Sequence, residues 1–129
     1  MSGREGAGQA LVEFALSSLL FFTLVFFLVD GGRVLFNYIT LAEAADDGAR
    51  YAIVNSQASA SAIAGVVQSN AVGISPTPSV SLRYQDASGH SPGTMVTVTA
   101  TSGVTPLTGL FWRGLTITLQ SKLALMIQN

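Results

Sequence analysis

Glu13 sits where a carboxylate is least expected. It immediately precedes sixteen uncharged residues, Phe14 to Val29 (FALSSLLFFTLVFFLV), and follows Gly8 by five positions within the polar opening MSGREGAGQALVE. An ionisable group in a segment fit to cross a membrane is costly, so it is the first place to look for function. Other residues able to do chemistry are few. Asp86, Ser88, His90 and Ser91 fall in one short polar stretch that holds the single histidine. An acid, an imidazole and a hydroxyl are the parts of a nucleophilic triad, yet in a turn-rich loop the same residue types far more often serve the turn itself. The sequence contains no Gly-x-Ser-x-Gly elbow, no phosphate-binding glycine loop, no paired metal-ligand motif and no cysteine. These residues therefore predict a protein that is not an enzyme, with no cofactor, no metal site and no small-molecule substrate.

The apolar run must be measured against a bilayer. About 20 residues at 1.5 Å each are needed to cross a hydrocarbon core of roughly 30 Å. Phe14 to Val29 is short by itself, and extension back to Gln9 makes the length adequate while bringing Glu13 inside, near one interface. A charge there costs less than the approximately 2.5–3.5 kcal/mol expected at the midplane, because the side chain can reach water or a partner. A removed secretory signal is the competing interpretation, but it calls for small residues at a cleavage site after the run. Val29 is followed instead by Asp30-Gly31-Gly32-Arg33 and a continuing helical pattern. Arg4 and the initial amine favour a cytoplasmic N-terminus by the positive-inside rule, which puts the C-terminal part outside.

Net charge is −1, and the basic residues Arg33, Arg50, Arg83, Arg113 and Lys122 are scattered. No electrostatic footprint for nucleic acid exists. The residues beyond the apolar run suffice for one small domain with a thin core. Val34, Tyr38, Leu41, Ala45, Ala49 and Ala52 recur in steps of three and four and predict a helix over 31–56, while Glu43, Asp46, Asp47 and Arg50 fall largely off that stripe. Gly31-Gly32 is expected to bend or thin this helix at the membrane surface. Asp46 and Arg50 stand at i, i+4, an exposed pairing worth about 0.3–0.5 kcal/mol, so a solvated helix face is the simplest account of them.

A second helix is expected over 59–71, capped by Ser56 or Ser59 and ended by Gly73, Pro76 and Pro78. From Ser79 the period changes to two: Val80, Leu82 and Tyr84, then Val96, Val98 and Ala100, then Leu115, Ile117 and Leu119 alternate with polar neighbours. Three or slightly more antiparallel strands within 79–126, the first two joined as a hairpin, would bury their apolar face on the long helix. The predicted fold class is α+β: a long N-terminal helix, membrane-spanning in its first half, a short second helix, and a sheet packed on it.

Three motifs carry a family resemblance: Gly8-Gln9-Ala10-Leu11-Val12-Glu13-Phe14-Ala15-Leu16, Asp30-Gly31-Gly32-Arg33, and Asp47-Gly48-Ala49-Arg50-Tyr51-Ala52. With the later Val96-Thr97-Val98, Pro106-Leu107 and a final threonine-alternating strand, the chain resembles the TadE-like minor pilins, or pseudopilins, of tight-adherence (Tad, Flp, type IVc) pili. The resemblance implies a leader 1–8, a transmembrane and assembly helix 9–30, and a periplasmic pilin-like head 31–129. It implies cleavage by a prepilin peptidase between Gly8 and Gln9, which makes Glu13 the fifth mature residue; Gly3 and Gly6 would put Gly8 and Leu11 at that place. A glycine before the cut lets an extended backbone enter a protease cleft. An acid four residues after a free amine can compensate that charge, on itself or on a neighbouring subunit, in a low-dielectric assembly. The plainer account of Glu13 is an interfacial acid that snorkels.

The resemblance marks Asp30, Arg33, Gly48 and Arg50 as helix-packing or partner residues. The implied partners are the peptidase, other minor pilins and a major Flp-type pilin, an inner-membrane assembly platform, and membrane lipid. The implied location is the bacterial inner membrane, with passage to the cell surface in the pilus. The chain departs from the family pattern at Ser17-Ser18, where many relatives have apolar residues and a proline, and at Asp46, where relatives often carry a basic or neutral residue. Leu110, Phe111 and Trp112 lie in an expected connection, where they either tuck under the sheet, the favoured reading, or form an exposed contact patch. Two functions remain: a processed minor pilin that primes, caps or enters the pilus, and a permanently anchored scaffold of a secretion or envelope complex.

Overall fold

The structure, a computed structural model, describes residues 3–85, 93–106 and 116–127, with side chains described from Gly6 onward. The elements are α1 (Gly3–Val54), α2 (Ala60–Asn70), β1 (Ser79–Tyr84), β2 (Met95–Val104) and β3 (Ile117–Met126). This is the expected α+β arrangement of a long helix, a short helix and three antiparallel strands. The chain divides into two compact units, residues 1–33 and 34–129.

The first unit is the N-terminal stretch of α1. Helix begins at Gly3 instead of near Gln9, so the polar opening is helical where it is described. Thirteen large apolar side chains from Leu11 to Val29 are about half to three-quarters exposed. At roughly 1.5–3 kcal/mol per fully transferred side chain, their removal from water is worth on the order of 20 kcal/mol. That exceeds the entire stability of a typical small domain, about 5–15 kcal/mol, so this surface requires an apolar surrounding. A helix suits one because its backbone polar groups are satisfied internally. Thr23 follows the same rule, its Oγ1 donating to the Leu19 carbonyl at 2.7 Å. Helix continues through Gly31 and Gly32 without interruption. No neighbouring atom lies within 4 Å of where either glycine would carry a Cβ, so nothing wedges the helix open there.

In the second unit, one contiguous core joins Leu41, Ala44, Ala45, Ala49 and Ala52 of α1, Ile63 and Val67 of α2, and Val96, Val98 and Ala100 of β2. The stripe on α1 is rotated from the expected one at its start: Asn37 is buried, while Tyr38 is 49% exposed. Small side chains dominate the α1 face, and this lets α2 come close. The tightest point is Gly48, where an added Cβ would overlap Val67 Cγ2. Of the two candidate caps for α2, Ser59 serves, its Oγ accepting from Ala62 N at 3.2 Å.

The sheet order is β1-β2-β3, both pairs antiparallel, with Leu82 opposite Val98 and Val98 opposite Leu123. Alternation is clean in all three strands. Val96, Val98, Ala100, Ser102 and Val104 of the central strand are buried, and their β1 and β3 neighbours are half-buried. Ser102 is tolerated inside because its Oγ donates to the Pro76 carbonyl at 3.2 Å, which removes the cost of a buried, unpaired hydroxyl. The hairpin stretch Asp86 to Pro92 lies outside the described residues, but Gln85 N donates to Met95 O and Gly93 N to Ile127 O, both at 2.9 Å.

Gly48→Ala is expected to destabilise the full chain in detergent by about 1–3 kcal/mol through overpacking. In a double-mutant cycle with Val67→Ala, denaturant unfolding should show a favourable coupling above about 0.5 kcal/mol; strict additivity would contradict the close approach.

Candidate processing and assembly site

Gly8, Gln9 and Glu13 all lie on α1 and are exposed. Gln9 and Glu13 are one helical turn apart, and Gln9, Val12, Glu13, Leu16 and Ser17 share one strip of helix surface. Glu13 is therefore the one carboxylate on an outward-facing strip that it shares with the polar Gln9 and Ser17 and the apolar Val12 and Leu16. Gly8 is helical here. Cleavage after Gly8 would call for extended backbone, so the helix would have to open there. Glycine makes that opening easy, since each helical glycine costs about 1 kcal/mol relative to alanine, and Gly3, Gly6 and Gly8 fall within six residues.

Asp30 and Arg33 follow the apolar run on α1; both are half-buried, and neither stands without an interaction. Gly48 and Arg50 belong to the other unit and play different parts. Gly48 is buried against α2, whereas Arg50 points outward and its Nε donates to Asp46 Oδ2 at 2.8 Å. The Asp46 hydrogen bond and charge push the Arg50 guanidinium above its already high ordinary pKa, so it is a permanent cation. Exposure of both side chains, 68% for Arg50 and 39% for Asp46, leaves the pair screened by solvent.

Sequence reasoning missed the neighbour of this motif: Asn70 Nδ2, at the end of α2, donates to Asp47 Oδ2 at 3.1 Å. The contact joins residues 23 positions apart, which no local periodicity signals. Leu110, Phe111 and Trp112 lie outside the described residues, as do Asp86, Ser88, His90 and Ser91. Among the described residues no group of three or more His, Cys, Asp or Glu could hold a metal ion.

Residues 8–50 match the family model of the TadE-like proteins. This segment is similar to the TadE-like proteins. The match starts at Gly8, ends at Arg50, and takes in Gln9, Glu13, Asp30, Arg33 and Gly48. It covers about a third of the chain and stops before α2 and the sheet, so the C-terminal part of the resemblance lies outside it. The family points to Tad pilus systems and is not an enzyme family. The long apolar helix of this TadE-like segment is suited to a membrane anchor. No curated protein and no solved structure gives a significant match.

Asp47→Ala and Asn70→Ala are each expected to lower stability by about 0.5–1 kcal/mol, and the double variant by no more than the larger single effect. Urea titrations of the four proteins would check this; summed effects would show that the bond carries nothing.

Proposed function

We propose that the protein is a minor pilin, or pseudopilin, of a Tad (Flp, type IVc) pilus machine. A prepilin peptidase cuts between Gly8 and Gln9, and the mature helix then holds the subunit in the inner membrane until it primes, caps or enters the pilus. The observation that carries this reading is the coincidence of the TadE-like match, which begins at Gly8, with a helix whose apolar surface is bare on all sides. Such a surface dissolves in lipid and can equally be covered by the helices of other subunits, so transfer from membrane to fibre exchanges one apolar surrounding for another.

In this scheme Glu13 carries register. Once Gln9 becomes the N-terminus, its ammonium lies one turn from the Glu13 carboxylate, and the pair is neutral only when both charges meet, within one chain or between neighbours. Other minor pilins, a major Flp-type pilin and the assembly platform are the partners this requires. The head, residues 34–129, faces the periplasm and afterwards the cell surface, where it supports adherence.

Coexpression with a Tad-type prepilin peptidase should yield protein that starts at Gln9, whereas Gly8→Leu should retain Met1, as read by intact mass. A cyclised Gln9 in the same spectrum would eliminate the amine and with it the Glu13 pairing. Glu13→Ala should still be cut but should fall at least tenfold in sheared surface fibres. Wild-type protein that is processed yet never found in fibres would favour the anchored scaffold. Trp112→Ala should reduce incorporation if the 110–112 segment is a subunit contact, and normal fibres from a stable variant would exclude that role.

A further inference from the structure

Charge in the head unit, residues 34–129, is sorted onto two surfaces. Among the described residues its acids are Glu43, Asp46 and Asp47, all on α1, and its bases are Arg50, Arg83 and Lys122. Leu41, Ala44, Ala45, Ala49 and Ala52 of α1 face the core, and the exposed Glu43, Asp47 and Arg50 lie off that stripe, on the outward side of the helix. Arg50 is paired with Asp46. Asp47 accepts from the neutral amide of Asn70, which leaves its charge uncompensated, and Glu43 has no polar partner among the described residues. The strip therefore keeps a negative balance.

The sheet carries the opposite sign. Val96, Val98 and Ala100 face the core, so Thr97 and Thr99 of β2 face the other way. Arg83 is opposite Thr97 and Lys122 is opposite Thr99, which puts both cations on that outer face, one on each side of β2. Together with Met95 and Thr97 they border one shallow depression. Both are exposed, neither has a hydrogen bond or ion pair among the described residues, and the described part of this face holds no acid.

The two surfaces also match in their apolar ends. The helix strip continues to Tyr51 and Val54, 36% and 79% exposed, and the basic depression ends at Met95 and its cross-strand neighbour Met126, 39% and 53% exposed. Their lengths agree. From Glu43 to Val54 is 11 helical steps, about 16 Å, and from Met95 to Thr99, the level of Lys122, is 4 strand steps, about 13 Å.

We propose that the basic outer face of the sheet docks the acidic α1 strip of a second copy of this chain. Glu43 and Asp47 of one copy meet Lys122 and Arg83 of the next, and Tyr51 and Val54 cover Met95 and Met126. Exposed charge pairs are weak singly and are screened by salt; their part here is to select which faces meet. Strip and sheet face lie on opposite sides of the core that α1 shares with β2, so the contact is head-to-tail and repeats as an open row instead of closing into a two-fold dimer. The contact goes beyond the pilin reading, which neither specifies nor requires one between heads of the same chain.

The chain has no cysteine, so Val54→Cys and Ser81→Cys each place one thiol, the first on the strip and the second on the sheet face. Full-length copies of the two, carrying different tags, would be mixed at low salt in nonionic detergent and joined with a bifunctional maleimide. Mixed dimers should fall about fivefold when Arg83→Glu and Lys122→Glu are placed in both partners, and as much with Glu43→Lys and Asp47→Lys. A sheet-reversed Ser81→Cys copy mixed with a helix-reversed Val54→Cys copy should recover the original yield, because opposite charges face each other again. The milder Glu43→Gln and Lys122→Gln should each lower it about twofold, which tests the contact without reversing any charge. Yields indifferent to all these changes overturn the proposal, as does an excess of dimers between like positions over mixed ones. Loss on sheet reversal that the helix-reversed copy does not restore overturns it in favour of an acidic partner other than this chain.

Discussion

The chain must satisfy two solvents with a single helix. From Leu11 to Val29, α1 offers large exposed apolar side chains; from Leu41 onward the same helix provides one wall of a core. The two demands select opposite side chains. Large Phe and Leu residues maximise contact with an apolar surrounding in the first stretch, whereas Ala and Gly in the second let other elements come close. Apolar-run chemistry, the position of Glu13 and the size of the head all follow from this division.

Small residues make a thin core workable. Fewer than 100 residues follow the first unit, and a domain of that size buries a modest fraction of its surface. Packing α2 against Gly48 and the adjacent alanines brings Ile63 and Val67 close to α1, and the strictly alternating β2 supplies the facing layer. Ser102, taken inside, is paired with the Pro76 carbonyl, and among the described residues no fully buried side-chain nitrogen or oxygen lacks a partner, so the core loses little to unsatisfied atoms.

Much of this was legible along the chain because it is local. The two-residue period of Val96, Val98 and Ala100 specified a half-buried strand, and Ser56 or Ser59 before an apolar-periodic stretch marked a helix start, of which the structure uses Ser59. The stripe on α1 was read with the right period but a shifted phase: Tyr38 was placed inward, and the structure puts Asn37 there. Hydropathy favours the tyrosine, yet the neighbours available at that level decide which face is covered. The glycine pair at 31–32 signalled a bend or thin point because glycine weakens helices. Helical hydrogen bonding nevertheless continues through both residues, since flanking turns can carry two poor formers.

Composition and spacing by themselves settled the existence of an apolar helix with an acid at its root, the α+β class and the lack of any recognisable catalytic motif, all of which depend on properties of neighbouring residues. Long-range proximity was a different matter. That Gly48 is needed for α2, that Asn70 reaches Asp47, and that Gly73 sits beside the Phe36 ring depend on how the turns after Val54 and Asn70 aim the chain. Such aim is set by a few backbone angles, and their effect appears only when distant segments compete for the same surface.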